Sequence, residues 1–120
     1  MSEPSCLRLE QDGDVTVVGF KDASILDVVV IQRIGRELYK LVDEDQRRKV
    51  VLDFGDVRFL SSQALGVLLT LRRKADRFKT KIALAAIRPE LVKVFRLTNL
   101  DQLFDFCADR ETAVAKLNEA

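Results

Sequence analysis

At 120 residues the chain has the length of one domain with one core, and 48% hydrophobic with 32% charged residues is a globular balance, away from the mixtures that stay unfolded. The 20 Lys and Arg against 19 Asp and Glu leave a net charge of +1, so no overall field draws the protein to nucleic acid or to anionic lipid. The absence of histidine removes the commonest general base and metal ligand. Cys6 and Cys107 stand far apart with no Cys-x-x-Cys partner, so we expect reduced structural thiols, no metal site and no cofactor.

Met1 to Cys6 lacks a basic start followed by an apolar core, and no apolar stretch approaches the roughly 18 residues that cross a bilayer. The chain therefore reads as cytoplasmic, with no membrane insertion, and residues 1–5 read as an N-terminal tail. Cys6–Glu10 and Val15–Phe20 are apolar-rich runs around Gln11-Asp12-Gly13-Asp14, and Asp-Gly predicts a hairpin of two antiparallel strands. After Lys21-Asp22-Ala23-Ser24, helical spacing of Val30, Ile34, Leu38 and Leu41 predicts a helix from Asp27, as N-cap, to about Asp43. The β-branched run Val28-Val29-Val30-Ile31 argues locally for strand; the longer periodicity argues for helix.

Lys49–Phe54 is a short apolar run suited to a central strand covered on both faces. Gly55-Asp56 makes a turn, Val57–Leu60 returns to apolar residues, and Ser61-Ser62 precedes a helix through about Phe78. Ala64, Leu68, Leu71, Ala75 and Phe78 form its apolar stripe, and Arg72, Arg73, Lys74 and Arg77 suit its negative C-terminal end as a solvated face. Lys81–Ala86 reads as a second buried strand. Pro89 opens a helix with Leu91, Val94 and Phe95 inward, ended by Thr98-Asn99. Leu103–Phe106 is expected as a short edge strand, and Asp109 as the cap of a last helix carrying Ala113, Val114 and Leu117. Strand-helix-strand crossovers require parallel neighbours, so the fold class is α/β, a mixed sheet of four to five strands with about four helices.

The segment Val57-Arg58-Phe59-Leu60-Ser61-Ser62-Gln63-Ala64-Leu65-Gly66 places two hydroxyls at a helix N-terminus, where unpaired N–H groups favour an oxygen or an anion. One serine suffices as N-cap. The other is free to accept a phosphoryl group, which adds about −1.5 to −2 charges to a neutral surface.

KVVLDFGDVRFLSSQALGVLLTLRRKA, with the opening hairpin, the long first helix and the Pro89 to Phe104 stretch, resembles the STAS domains, and in particular the anti-sigma factor antagonists of bacteria. The resemblance spans nearly the whole chain, residues 1–120 taken as one STAS domain. It implies a non-catalytic protein that binds an anti-sigma factor serine kinase and thereby releases a sigma factor, with serine phosphorylation ending the binding and a phosphatase restoring it. By position the phosphoacceptor is Ser62, with Ser61 as second choice. Asp22, Ser24, Ser61, Ser62, Gln63 and Val67 are the implied partner-binding residues. Ser61 stands where the family usually has Asp, Gln63 where Ser or Thr is common, and Ala64 replaces the first Gly, whereas Leu65 and Gly66 match. Within the same resemblance, a scaffold or regulatory subunit of a stressosome-like or transporter assembly is the alternative. A receiver domain phosphorylated on Asp53 is a further one, set against a carboxylate that bonds backbone at a strand end.

Overall fold

The computed structural model describes residues 6–119, and the expected tail, residues 1–5, lies outside them. Strands β1 (Leu7–Asp12) and β2 (Val15–Phe20) form the antiparallel hairpin. The hairpin is tighter than expected: β1 runs on through Asp12, which pairs with Val15, and Gly13 and Asp14 alone make the turn. Gly13 at φ 62 supplies the positive φ that the first central position of a type II′ turn requires.

Two-residue β3 (Ser24–Ile25) precedes helix α1 (Val28–Asp43). The Asp27 carboxylate caps α1, accepting from Val29 N at 2.8 Å and Val30 N at 3.1 Å. Val28–Ile31 is therefore helical despite its β-branched residues, because Ile31, Ile34, Leu38 and Leu41 bury one continuous face. Strand β4 (Lys49–Asp53), two-residue β5 (Phe59–Leu60), helix α2 (Ser62–Phe78), strand β6 (Lys81–Ala85) and helix α3 (Pro89–Leu97) follow. A 3-10 turn over Leu100–Gln102 then leads to strand β7 (Asp105–Cys107) and helix α4 (Arg110–Leu117). The edge strand thus starts two residues later than expected, since Leu103 closes the 3-10 turn and Phe104 is buried beneath it.

The five-stranded sheet has the order β1-β2-β4-β6-β7, parallel from β2 onward. β4 is central, as its unbroken apolar run predicts. Alternation along each strand divides the core. Val18, Leu52, Leu84 and Phe95 belong to the larger cluster under α1, α2 and α3. Val15, Val17, Val51, Ala83, Ala85 and Cys107 lie under Ala113, Val114 and Leu117 of α4. In the larger cluster Phe20 lies 5.0 Å from Phe54, and Phe95 meets Phe106 edge-on at 5.5 Å, geometries that aromatic quadrupoles favour. Cys6 and Cys107 are both buried and free. Burial pushes both thiols up, and the Glu37 carboxylate adds to the effect at Cys6. Among the described residues no helix is long and apolar enough to cross a membrane.

Candidate functional site

In register Gly19, Asp53, Ala85 and Cys107 lie side by side at the carboxyl edge of β2, β4, β6 and β7, the edge at which open α/β sheets gather their sites. Because β2 and β4 are neighbours, the segments leaving them meet. Ser24 pairs with Phe59 and Ile25 with Leu60 in a small parallel sheet. Arg58 N and Phe59 N donate to Ala23 O at 2.7 and 3.2 Å, and Ser61 N donates to Ile25 O at 3.1 Å. Ile25 turns inward and is buried, whereas Ser24 and Phe59 are exposed, the alternation expected of neighbouring strand positions.

This strap delivers the chain to α2 at a fixed angle. Ser61 is extended at φ −85, ψ 167, and its Oγ accepts from Ala64 N at 3.2 Å. It is the cap, as its place in the sequence predicts. Ser62 is then the first helical residue, exposed together with Gln63. One turn on, Gly66 is exposed, and a Cβ built there would meet nothing within 4 Å. Since residues four apart share a helix face, no side chain on α2 shields the Ser62 hydroxyl from that direction. Ala64, in the family's glycine place, is 6% exposed and belongs to the core.

Asp22 and Ser24 are exposed in and beside the strap, so the structure brings them to the face that carries Ser61, Ser62 and Gln63. Val67 is placed differently. It is half-buried against α1, where its Cγ2 lies 3.5 Å from the place a Cβ on Gly35 would take, an ordinary contact distance, and Tyr39 Oη donates to its carbonyl at 3.4 Å; Val67 therefore joins two helices. On the strap and at the start of α1 lie exposed apolar residues that the sequence reading gave no site role: Leu26, Val28, Val29 and Phe59 are 54, 49, 59 and 57% exposed. The signal was present in the apolar positions of the α1 first turn that fall outside its i, i+3, i+4 stripe.

The Asp53 carboxylate is committed elsewhere. Its Oδ1 accepts from Gly55 N at 2.9 Å, and its Oδ2 accepts from Arg110 Nε and Nη2 at 3.4 and 3.3 Å. Arg110 also binds Glu10. Asp53 thus bonds backbone at the strand end and anchors α4. The antiparallel β1–β2 opening also differs from the strand that leads straight to a helix in a receiver domain. The basic face of α2 is partly partnered, with Arg72 on Asp76 at 2.7 Å and Lys74 on Asp43 at 3.2 Å.

The family model for the STAS domain matches residues 7–113. The chain belongs to the STAS domain family. A STAS-domain containing protein of Pseudomonas aeruginosa, PA14_20770, is 41% identical over 69 residues, 58% of this chain and 67% of that protein. BtrV of Bordetella bronchiseptica, a candidate anti-sigma factor antagonist, is 29% identical over 89 residues, 74% of this chain and 76% of that protein. Among solved STAS structures, an anti-sigma-factor antagonist domain protein of Planctomyces limnophilus superposes with a TM-score of 0.83 at 22% identity, covering 94% of this chain and 98% of that one. The Bacillus protein SpoIIAA superposes with a TM-score of 0.72 at 18% identity in its unphosphorylated form, covering 95% of this chain and 99% of that one. Its phosphorylated form gives 0.72 as well, at 18% identity and 93 and 99% coverage. The STAS fold of anti-sigma factor antagonists is therefore the fold of this chain.

Proposed function

We propose that this chain is an anti-sigma factor antagonist that binds an anti-sigma factor serine kinase in its unphosphorylated form, frees the sigma factor, and is released when the kinase phosphorylates Ser62. The observation that carries the reading is the division of labour between the two serines. Ser61 Oγ closes the helix cap, and Ser62 is left exposed at the first helical position, beneath the bare surface at Gly66.

A phosphate at this place acts oppositely on fold and on binding. Helix N–H groups and the positive end of the α2 dipole favour the added charge, so the domain keeps its structure. The equal superposition on SpoIIAA with and without phosphate supports this half of the reading. In a complex, the surface formed by Ser62, Gln63, Leu26, Val29 and Phe59 loses water, and a dianion there must be desolvated or meets repulsion. Binding is therefore lost while folding is not, and a phosphatase that removes the group restores the contact.

The test is incubation of the full chain with the host's histidine-kinase-like ATPases and ATP, followed by mass spectrometry. Phosphate on Ser62, with Ser62→Ala retaining kinase binding and Ser62→Asp weakening it at least about tenfold, is the expected result. Phosphate on Ser61 alone overturns the assignment. Phosphate on neither serine, with recovery of the chain in a large multi-STAS assembly, favours the scaffold role.

A further inference from the structure

Strand β1 ends the sheet, and among the described residues no strand pairs with its outer side. The two-residue turn makes Asp12 and Val15 a hydrogen-bonded pair; alternation then turns the backbone groups of Glu10 and Arg8 toward β2 and those of Leu9 and Gln11 outward. The bond from Lys21 N to Cys6 O at 3.1 Å continues the same alternation. An open row of donors and acceptors is a template for another strand, and proteins usually blunt it with proline, lysine, a bulge or brevity. β7, at the other edge, has only three residues. β1 has six, with no proline, no lysine and an unbroken register, and its Leu9 is 52% exposed. We propose that β1 pairs antiparallel with β1 of a second copy of this chain, centred on Leu9, in a symmetric dimer whose sheet runs through both copies.

Charge selects both the occupant and the register. A two-fold axis at Leu9 sets the two Leu9 residues opposite each other as the pair that exchanges backbone hydrogen bonds. Arg8 then faces Glu10 of the second copy, and Glu10 faces Arg8 of the second copy, at non-hydrogen-bonded sites where Cα atoms approach to roughly 4.5 Å instead of roughly 5.5 Å. The neighbouring registers all fail on charge. Centring on Glu10 sets it against its own copy, centring on Arg8 does the same to Arg8, and centring on Gln11 sets Glu10 against Asp12; like charges directly opposite are destabilising. The side chains also stand on suitable faces. Leu7 belongs to the larger core cluster, so by alternation Leu9 is on that face, beside Lys40 and Leu41 of α1, and the two copies bring their exposed leucines together there. Arg8 and Glu10 are on the α4 face, where Arg110 is one cation between the carboxylates of Glu10 and Asp53, an excess of negative charge that a second guanidinium balances. Arg8 is held by Asp56 at 3.7 Å with both side chains largely exposed, the kind of pair that contributes little and is readily exchanged. The inference rests on the β1 edge and is independent of the Ser62 switch.

The experiment is sedimentation of the full chain from about 5 to about 500 μM, the span in which so small an interface associates. A monomer–dimer equilibrium is expected, with amide hydrogen exchange at Leu9 and Gln11 slowing as the dimer forms. Arg8→Glu and Leu9→Lys, both on exposed side chains, should each raise the dissociation constant at least about tenfold by setting like charges opposite one another. Glu10→Arg should do the same, its fold being checked by circular dichroism because it also gives up Arg110. Mixing the Arg8→Glu and Glu10→Arg chains should restore association, since both cross-strand pairs are then again of opposite charge. A chain that stays monomeric to the top of the concentration range overturns the proposal, as does a dimer that Arg8→Glu and Leu9→Lys leave intact. Folded variants that remain apart when mixed overturn the register.

Discussion

Helices α2 and α4 both start from the carboxyl edge of the sheet, and both use the same local device. Ser61 Oγ accepts from Ala64 N at 3.2 Å, and Asp109 Oδ1 accepts from Thr112 N at 2.8 Å. The residue after the cap then takes opposite roles. Arg110 reaches Asp53 and Glu10 and ties α4 to two strands, whereas Ser62 remains exposed, as do Leu26, Val28, Val29 and Phe59 on the segments that lead into and out of the strap. A helix start is thus made structural or left available by what surrounds its first turn, not by the cap.

The comparison is broken most forcefully at Arg110. Arg110→Ala leaves half-buried Asp53 without its cation, and we expect a loss of roughly 1–2 kcal/mol in denaturant unfolding, the upper part of the range being set by solvent screening. Kinase-dependent phosphorylation of Ser62 should be unchanged, and a joint loss of both would show that the two helix starts are not separate. Ser61→Ala removes the cap of α2 at about 1 kcal/mol, while Ser62→Ala should stay within about 0.5 kcal/mol; equal costs would end the division of labour between the serines.

Gly66 sharpens the contrast from the other side. Gly66→Ala should raise stability by about 0.5–1 kcal/mol, since the position is helical and open, and Gly66→Leu should slow Ser62 phosphorylation by covering the hydroxyl. Unaltered phosphorylation of the leucine variant would show that the kinase approaches from elsewhere. The smallest effect belongs to acid. Asp109 has its carboxyl held below the usual aspartate range, first by its side-chain bond with Thr112 and also by the Thr112 backbone N–H. Its lowered folded value means that its contribution is complete above the ordinary aspartate range and is lost as pH falls through that lowered value. Asp109→Asn, which keeps a capping oxygen, should remove this part of the acid dependence of the melting temperature.

The Ser61 cap, the Asp27 cap, the central place of β4 and the hairpin were legible because each rests on a few adjacent residues with one dominant preference. The β3–β5 strap was not. Two residues give no period, and Ser24–Ile25 becomes a strand only because β2 and β4 are neighbours and carry their outgoing segments together. The start of β7 was misplaced for a related reason: Leu103 and Phe104 have strand-like composition, yet the 3-10 turn takes the first and the core beneath α3 takes the second.

By itself the sequence determined the order of the helices and of the five strands of the main sheet, the two-sided core and the pairing of a capping serine with a second hydroxyl, since periodicity and local hydrogen-bond chemistry operate within a few residues. Tertiary structure decided which of these groups stay exposed. Val67 was drawn into the α1–α2 contact beside Gly35 and Tyr39, Asp53 was consumed by Arg110 from 57 residues away, and Phe59 was turned outward by pairing with Ser24. Exposure and ion pairing depend on which distant segments share a surface, and the folded chain alone fixes that.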